Sequence, residues 1–406
     1  MRLEATSLVP LERDGPPVGD HHERRFDRWR QVRIRHGGSL SGLLFGGSAA
    51  GAPRLRRVAE RTLSQRERNR ALLARQLLLE RADLPIPRAV ERIGGLQAQY
   101  APSAYIGLWT RLRTFRRDAL TSALERRSVV QGTLMRSTIH LVSARDYPAL
   151  AAGVRAARRG WWLRAARGAA DGGTMARTAE RLRALLADCP LPRRDLLRLL
   201  EVDPRIWNGV GLWVDLVRVP PSGTWERRSA DLYGLADAWI DLPEVAEADG
   251  IELLIRRYLG GFGPSSTKEI SGWSGVPSKS LEPSLARMRF RRFRSERGEV
   301  LHDLPRAPLP DPDTPAPVRF LPTWDATLLV NERETQILPD HHRPRVFNTK
   351  TPHSVPTFLV DGQVAGTWRF DEGRVRVEPF GRLPRSVRSA VDDEAERLRA
   401  FHEDEA

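Results

Sequence analysis

Two glutamines, Gln97 and Gln99, stand in the run Ile93-Gly94-Gly95-Leu96-Gln97-Ala98-Gln99-Tyr100, and what they can do chemically is narrow. A glutamine amide does not ionise in the useful range, so neither residue is a general base. Its carbonyl can accept a hydrogen bond from water, and its dipole can face developing positive charge. Such modest help suffices for hydrolysis only where the leaving group is already good. Residues two apart on a helix point about 200° away from each other. Both glutamines therefore serve one site only if the helix stops at the glycines and the chain turns extended, a break that Gly94, Gly95 and Pro102 favour. Taken alone the motif is weak, because two exposed polar residues at a helix end are the commoner explanation.

Other chemistries find little support. Cys189 is the only cysteine, which rules out an intrachain disulfide and a cysteine-cluster zinc site and suits a reducing compartment. It reads as a small buried apolar residue rather than a nucleophile. The nine histidines form no HExxH pattern, and His341 and His342 are adjacent rather than helically spaced, so no metal and no cofactor is expected. No run of eighteen apolar residues occurs, so no membrane span is expected and a cytoplasmic, nucleoid-associated protein is. The 66 basic residues outnumber 51 acids for a net charge of +15, which points to a polyanion, nucleic acid first. Residues 1–60 hold eleven arginines against seven acids, so they carry +4 of this and the remainder keeps +11.

The elements that must position the glutamines follow from patterning. Residues 1–60 lack periodicity and read as a disordered or over-extended N-terminal segment. Ser64 and Glu67 form a capping box that opens a helix ending near Arg81. Pro87 starts a second helix, and further helices fall around Ile106–Leu112 and Asp118–Arg126. Val129–Met135 and Ser137–Val142 then alternate as two strands. Helices followed by a β-hairpin is the order of a winged helix. The order recurs, with helices at Thr178–Ala187, Arg193–Leu200 and Gly211–Arg218 before a wing at Thr224–Arg228. A third round runs from Glu252–Leu259 through Ser265–Trp273 and Ser278–Met288 to strands within Phe290–His302. A Pro-rich linker, 305–319, leads to strands at Phe320–Val330, Val355–Val360, Gln363–Phe370 and Arg374–Glu378, with Asp361–Gly362 as a hairpin turn, and a helix over Pro384–Phe401. The expected class is α+β: winged helices over 61–160, 161–245 and 246–304, then a small C-terminal β-barrel with its terminal helix over 320–406.

Several spaced runs carry a family resemblance. They are Leu63-Ser64, Asn69 to Leu78, Gly95-Leu96-Gln97-Ala98-Gln99, Leu134 to Val142 with Asp146-Tyr147, Pro322-Thr323-Trp324-Asp325, and Leu359 to Arg369. In this order the sequence resembles the AlkZ/YcaQ family of winged-helix DNA glycosylases from roughly Leu63 to Phe401. The resemblance implies three tandem winged helices and a barrel around a DNA-sized channel, and a Gln-x-Gln catalytic motif matched by Gln97 and Gln99. It further implies excision of alkylated bases from double-stranded DNA, including bases joined in interstrand crosslinks, by a chain expected to be a monomer. A neutral glutamine pair suits a cationic leaving group such as an N7-alkylated guanine. A lyase would need an amine for a Schiff base, and the three lysines, Lys268, Lys279 and Lys350, all lie outside this region, so monofunctional hydrolysis is expected.

Residues expected to contact DNA are Arg136 and His140 on the first hairpin. To these are added Arg155, Arg158, Arg159, Arg164 and Arg167, interleaved with Trp161 and Trp162, and Arg227 and Arg228 on the second wing. A solvated helix face accounts for the arginine cluster nearly as well. Two other classes fit the basic surface: a winged-helix transcriptional regulator, and a damage-binding protein without catalysis. Fold alone does not separate them.

Overall fold

The computed structural model describes residues 60–166, 168, 170–329, 337–347 and 354–403. The expectation for residues 1–60 falls, apart from Glu60, outside them. Ser64 caps the first helix, α1 (Gln65–Arg75), through the expected box with Glu67. The helix ends before Arg81 because Leu77 adopts a left-handed backbone, φ 58°. Then follow α2 (Ile86–Ile93), β1 (Leu96–Gln97), α3 (Ala101–Trp109), α4 (Arg117–Glu125), and the hairpin β2 (Val129–Thr133) and β3 (Ile139–Ser143). A long helix, α5 (Tyr147–Ala165), leads to α6 (Gly172–Leu185), α7 (Arg193–Leu200) and α8 (Pro204–Val210). Next come β4 (Leu216–Arg218) and β5 (Leu232–Leu235), then α9 (Glu247–Phe262), α10 (Thr267–Ser274), α11 (Ser278–Arg287) and the hairpin β6 (Arg291–Ser295) and β7 (Val300–Asp303).

Two expectations in the second round change. Leu216–Arg218 is a strand rather than the end of a helix, and the hairpin in this round is β4–β5, with Thr224–Arg228, expected as its wing, in the loop between the strands. Its first strand also pairs with the first hairpin, Gln131 opposite Arg218 and Gly132 opposite Val217. One six-stranded antiparallel sheet results, ordered β1-β3-β2-β4-β5 and then Leu191–Pro192. Alternation along its strands divides two cores. Leu96, Val129, Ile139 and Leu141 face α2–α4, while Val130, Val142 and Val217 face α5 and α9. A third core, with Met175, Leu196, Trp207 and Val210, fills the α6–α8 unit. Cys189, expected to be buried, is exposed.

The C-terminal strands β8 (Arg319–Leu321), β9 (Thr357–Val360), β10 (Gln363–Asp371) and β11 (Arg374–Pro379) form a sheet in that order. Among the described residues β11 does not return to β8, so the sheet is open and the expected closed barrel is not present. The final helix α12 (Arg385–Glu403) packs on it with Leu398 and Phe401. The stretch expected as a strand beyond Leu321 turns instead into a short helix, Ala326–Leu329. Asp325 accepts from the backbone of Thr327 at 3.1 Å and so starts it. Residues 305–319 are held against α1: Arg75 donates to Pro308 O at 2.9 Å and Arg70 to Thr314 O at 2.7 Å. Two fully buried ion pairs tie distant parts of the chain, Arg75 with Asp303 at 2.6 Å and Arg111 with Asp325 at 2.9 Å. Both C-terminal and N-terminal residues share the two sheet-flanking cores.

Candidate active site

The break expected before the glutamines is present. Gly94 and Gly95 follow α2 with φ of 81° and 84°, a backbone that glycine adopts without strain. A side chain at Gly95 would also lie 3.1 Å from Val142. The chain emerges extended, and β1 pairs with β3 so that Leu96 opposes Leu141 and Gln97 opposes His140. Directly opposed residues of an antiparallel pair share a face. Gln97 and His140 therefore lie together on the α5 side of the sheet. The ladder runs on through Ala98 N–H to Ile139 O at 2.8 Å, and Gln99 Oε1 accepts the Ile139 N–H at 3.2 Å.

Each glutamine is thus oriented by a donor that admits only one amide orientation. Gln97 Oε1 accepts Arg136 Nη2 at 3.0 Å, and the Gln99 carbonyl is fixed by a backbone N–H. Each oxygen keeps a second lone pair. Gln97 is buried and Gln99 half-buried. Arg136 holds a second bond, Nη1 to Trp273 O at 2.6 Å in the last turn of α10, where the helix dipole favours a cation. Burial lowers its pKa to about 10, which leaves it charged at neutral pH. Arg136 and Ser137 both take left-handed backbone, φ 52° and 60°. For non-glycine residues this persists only where the surroundings enforce it. The hairpin tip is therefore built to place a guanidinium between α10 and Gln97.

The face continues from His140 to Gly132, its partner on β2, where a Cβ would fall 2.4 Å from the Tyr147 ring. Tyr147 opens α5, and three turns on Arg158 reaches back to Thr133 O at 2.6 Å. Arg158 is buried with Nε and Nη2 unpartnered, and burial lowers its pKa to about 10. His140 Nδ1 lies 3.0 Å from Thr138 O. Burial first, then the charges of Arg136 and Arg158, push the imidazole down to about 3. It is neutral at working pH.

That depression carries a stability prediction. The unfolded chain binds a proton on His140 near its ordinary value of 6.5, whereas the folded chain does not until about pH 3. The stabilisation is full above the unfolded value and is lost as pH falls through this window. His402, pushed to about 4 by burial and then by Arg228 and Arg117, acts in the same direction. Urea unfolding from pH 6.5 to 4 is expected to show a slope that His140→Phe reduces by ~1.4 kcal/mol per pH unit. A wild-type slope in that variant contradicts the assignment.

The remaining expected DNA contacts scatter. Arg155 pairs with Asp215 at 2.6 Å, and Arg159 donates to Leu212 O at 2.8 Å and lies over Trp213. Arg158 is inside the protein rather than on its face. Arg164 is exposed, as is the neighbouring Trp161, and Arg167 lies outside the described residues. Arg227 pairs with Asp231 at 3.6 Å. Arg228 donates to Tyr100 Oη at 3.2 Å, which brings the β4–β5 loop beside the glutamines. The buried position of Arg158 had a signal in the sequence. It falls in the apolar stripe Leu150, Val154, Arg158, Trp162, spaced four residues apart. Gly132 inside a strand likewise marks a close approach, here by Tyr147.

Comparison with known proteins places the chain in a family. An interstrand DNA cross-link repair glycosylase of Streptomyces sahachiroi is 24% identical over 361 residues, covering 80% of this chain and 92% of the relative. The solved structure of the Streptomyces sahachiroi DNA glycosylase AlkZ superposes with a TM-score of 0.69 at 21% identity, over 84% of this chain and 97% of that one. Among the described residues no helix is long and apolar enough to cross a membrane. The family model described as DNA glycosylase AlkZ-like matches residues 90–401, a span that starts after α1 and includes both glutamines. Over most of its length, therefore, the chain belongs to the AlkZ-like family of DNA glycosylases.

Proposed function

We propose that this chain is a monofunctional DNA glycosylase that hydrolyses the N-glycosidic bond of cationic, N7-alkylated purines in duplex DNA. The observation that carries the reading is the oriented amide pair. Gln97 and Gln99 each have the carbonyl fixed by one protein donor, so neither amide must reorganise as charge develops on the sugar. Their remaining lone pairs face an oxocarbenium-like centre as neutral dipoles. Neutral dipoles supply limited stabilisation, so the pair works on a base that is already a good leaving group and spares undamaged ones. The three helix-then-hairpin segments are read as winged helices, with the basic surface meeting phosphate.

The cross-link repair activity of the Streptomyces sahachiroi relative makes a crosslinked duplex the second substrate to examine. Incubation with duplex containing N7-methylguanine is expected to release the free base and leave an abasic site without strand cleavage. Release from a nitrogen-mustard crosslink tests the wider substrate range. Tight binding without release from any cationic adduct would overturn the enzyme reading in favour of a damage-binding or regulatory protein.

A further inference from the structure

We propose that His140 is a catalytic residue whose Nε2 lone pair holds the attacking water and takes its proton. The inference rests on the glycosylase reading of the same site. The glutamines leave this task undone, since an amide carbonyl orients water but does not take up a proton. Hydrolysis of a cationic nucleotide breaks the C1′–N bond with its electron pair going to the ring nitrogen, so the base departs neutral. Water bonds to C1′ through oxygen, and one proton is left over. The oxonium formed on the sugar is a far stronger acid than an imidazolium, so even a weakly basic imidazole accepts that proton and passes it to solvent.

Geometry assigns the role to His140. It is the cross-strand partner of Gln97, so its ring stands on the same face as the amide that meets the sugar. A carbonyl only accepts, so the 3.0 Å contact with Thr138 O places the ring hydrogen on Nδ1 and leaves Nε2 as a bare acceptor. Among the described residues Nε2 has no hydrogen-bond partner. The residue as a whole is 2% exposed. Burial first, and then the guanidiniums of Arg136 and Arg158, keep the ring unprotonated, so the lone pair is available throughout the range in which DNA is intact.

The test is nucleophile partition during single-turnover release of 7-methylguanine in water–methanol mixtures, for wild type, His140→Asn and His140→Gln. A held water makes the wild type form less 1′-O-methyl deoxyriboside than the methanol fraction of the solvent dictates. His140→Asn keeps a donor for Thr138 O but has no atom at the Nε2 position. It is expected to slow release by about 10²-fold and to move the product ratio to the solvent ratio. His140→Gln restores an acceptor there and is expected to recover part of both. Melting temperature and affinity for duplex with an uncleavable abasic analogue report the fold. A wild type that incorporates methanol in proportion to its fraction overturns the proposal, whatever the variants do. So does slower release by His140→Asn with an unchanged ratio, which would make the ring a wall beside Gln97. A wild type that releases no base fails one step earlier and removes the glycosylase reading itself.

Discussion

Gln97→Ala and Gln99→Ala are each expected to slow release of 7-methylguanine by about 10²- to 10³-fold while binding to the same duplex is retained. The two substitutions remove different things. Gln97→Ala removes an amide and also frees one arm of Arg136, whose other arm stays on Trp273 O. Gln99→Ala removes an amide whose side-chain bond among the described residues is to the Ile139 N–H, and Ala98 N–H to Ile139 O still joins the strands. Neither loss touches the hairpin ladder, so melting temperatures are expected to stay close to wild type. Gln99→Asp is the informative converse. The Ile139 N–H would donate to a carboxylate, and full negative charge would then face the sugar. Activity on 7-methylguanine is expected to survive and to extend to poorer leaving groups. Alanine variants with undiminished single-turnover rates would remove both glutamines from the chemistry.

The largest stability effect is expected at Asp325, which is fully buried with its partner Arg111. Its carboxylate receives both Arg111 Nη atoms at 2.9 Å, and Oδ1 also accepts from Thr327 Oγ1 at 2.8 Å. Asp325→Ala leaves a guanidinium in the interior without its counter-ion, at a cost of about 3–5 kcal/mol. The effect belongs to the orphaned charge rather than to the pair. Arg111→Met combined with Asp325→Leu is therefore expected to regain much of the loss. Chemical denaturation of the two single variants and the double variant decides it. A single-variant loss below about 1 kcal/mol, the scale of an exposed ion pair, would show that the carboxylate is not needed there.

Local chemistry made part of this fold legible in advance. The capping box at Ser64 and Glu67, the glycine break before Gln97, the first hairpin and the Asp361–Gly362 turn all depend on neighbours in sequence, and all are present. Leu212 to Val219 is a short, nearly continuous apolar run whose period does not distinguish helix from strand. Pairing with residues 131 and 132 decided it, and no local pattern encodes that. Strand-like alternation after Phe320 gave way to the burial of Asp325 against Arg111, a partner 214 positions away. In the site, Gln97 and Gln99 pointed to a chemistry only together with the family resemblance of the surrounding runs. The burial of Arg158 was legible only as a break in the apolar stripe of α5, and the placement of Arg136 between α10 and Gln97 had no local signal, because it depends on a helix 137 positions away.

The six-stranded sheet has a bearing on how such a protein can be rearranged. Its first three strands come from residues before α5 and its next two from residues after α8, joined edge to edge through β2 and β4. A recombination crossover placed in α5 would cut the sheet rather than separate two modules. Each product would carry a bare strand edge, a ready template for pairing with another chain. Exchange of a single hairpin between homologues is therefore expected to yield aggregation-prone chimeras, whereas an exchange of residues 61–245 would keep the sheet whole and cut, among other contacts, the buried pairs that Arg75 and Arg111 make with Asp303 and Asp325.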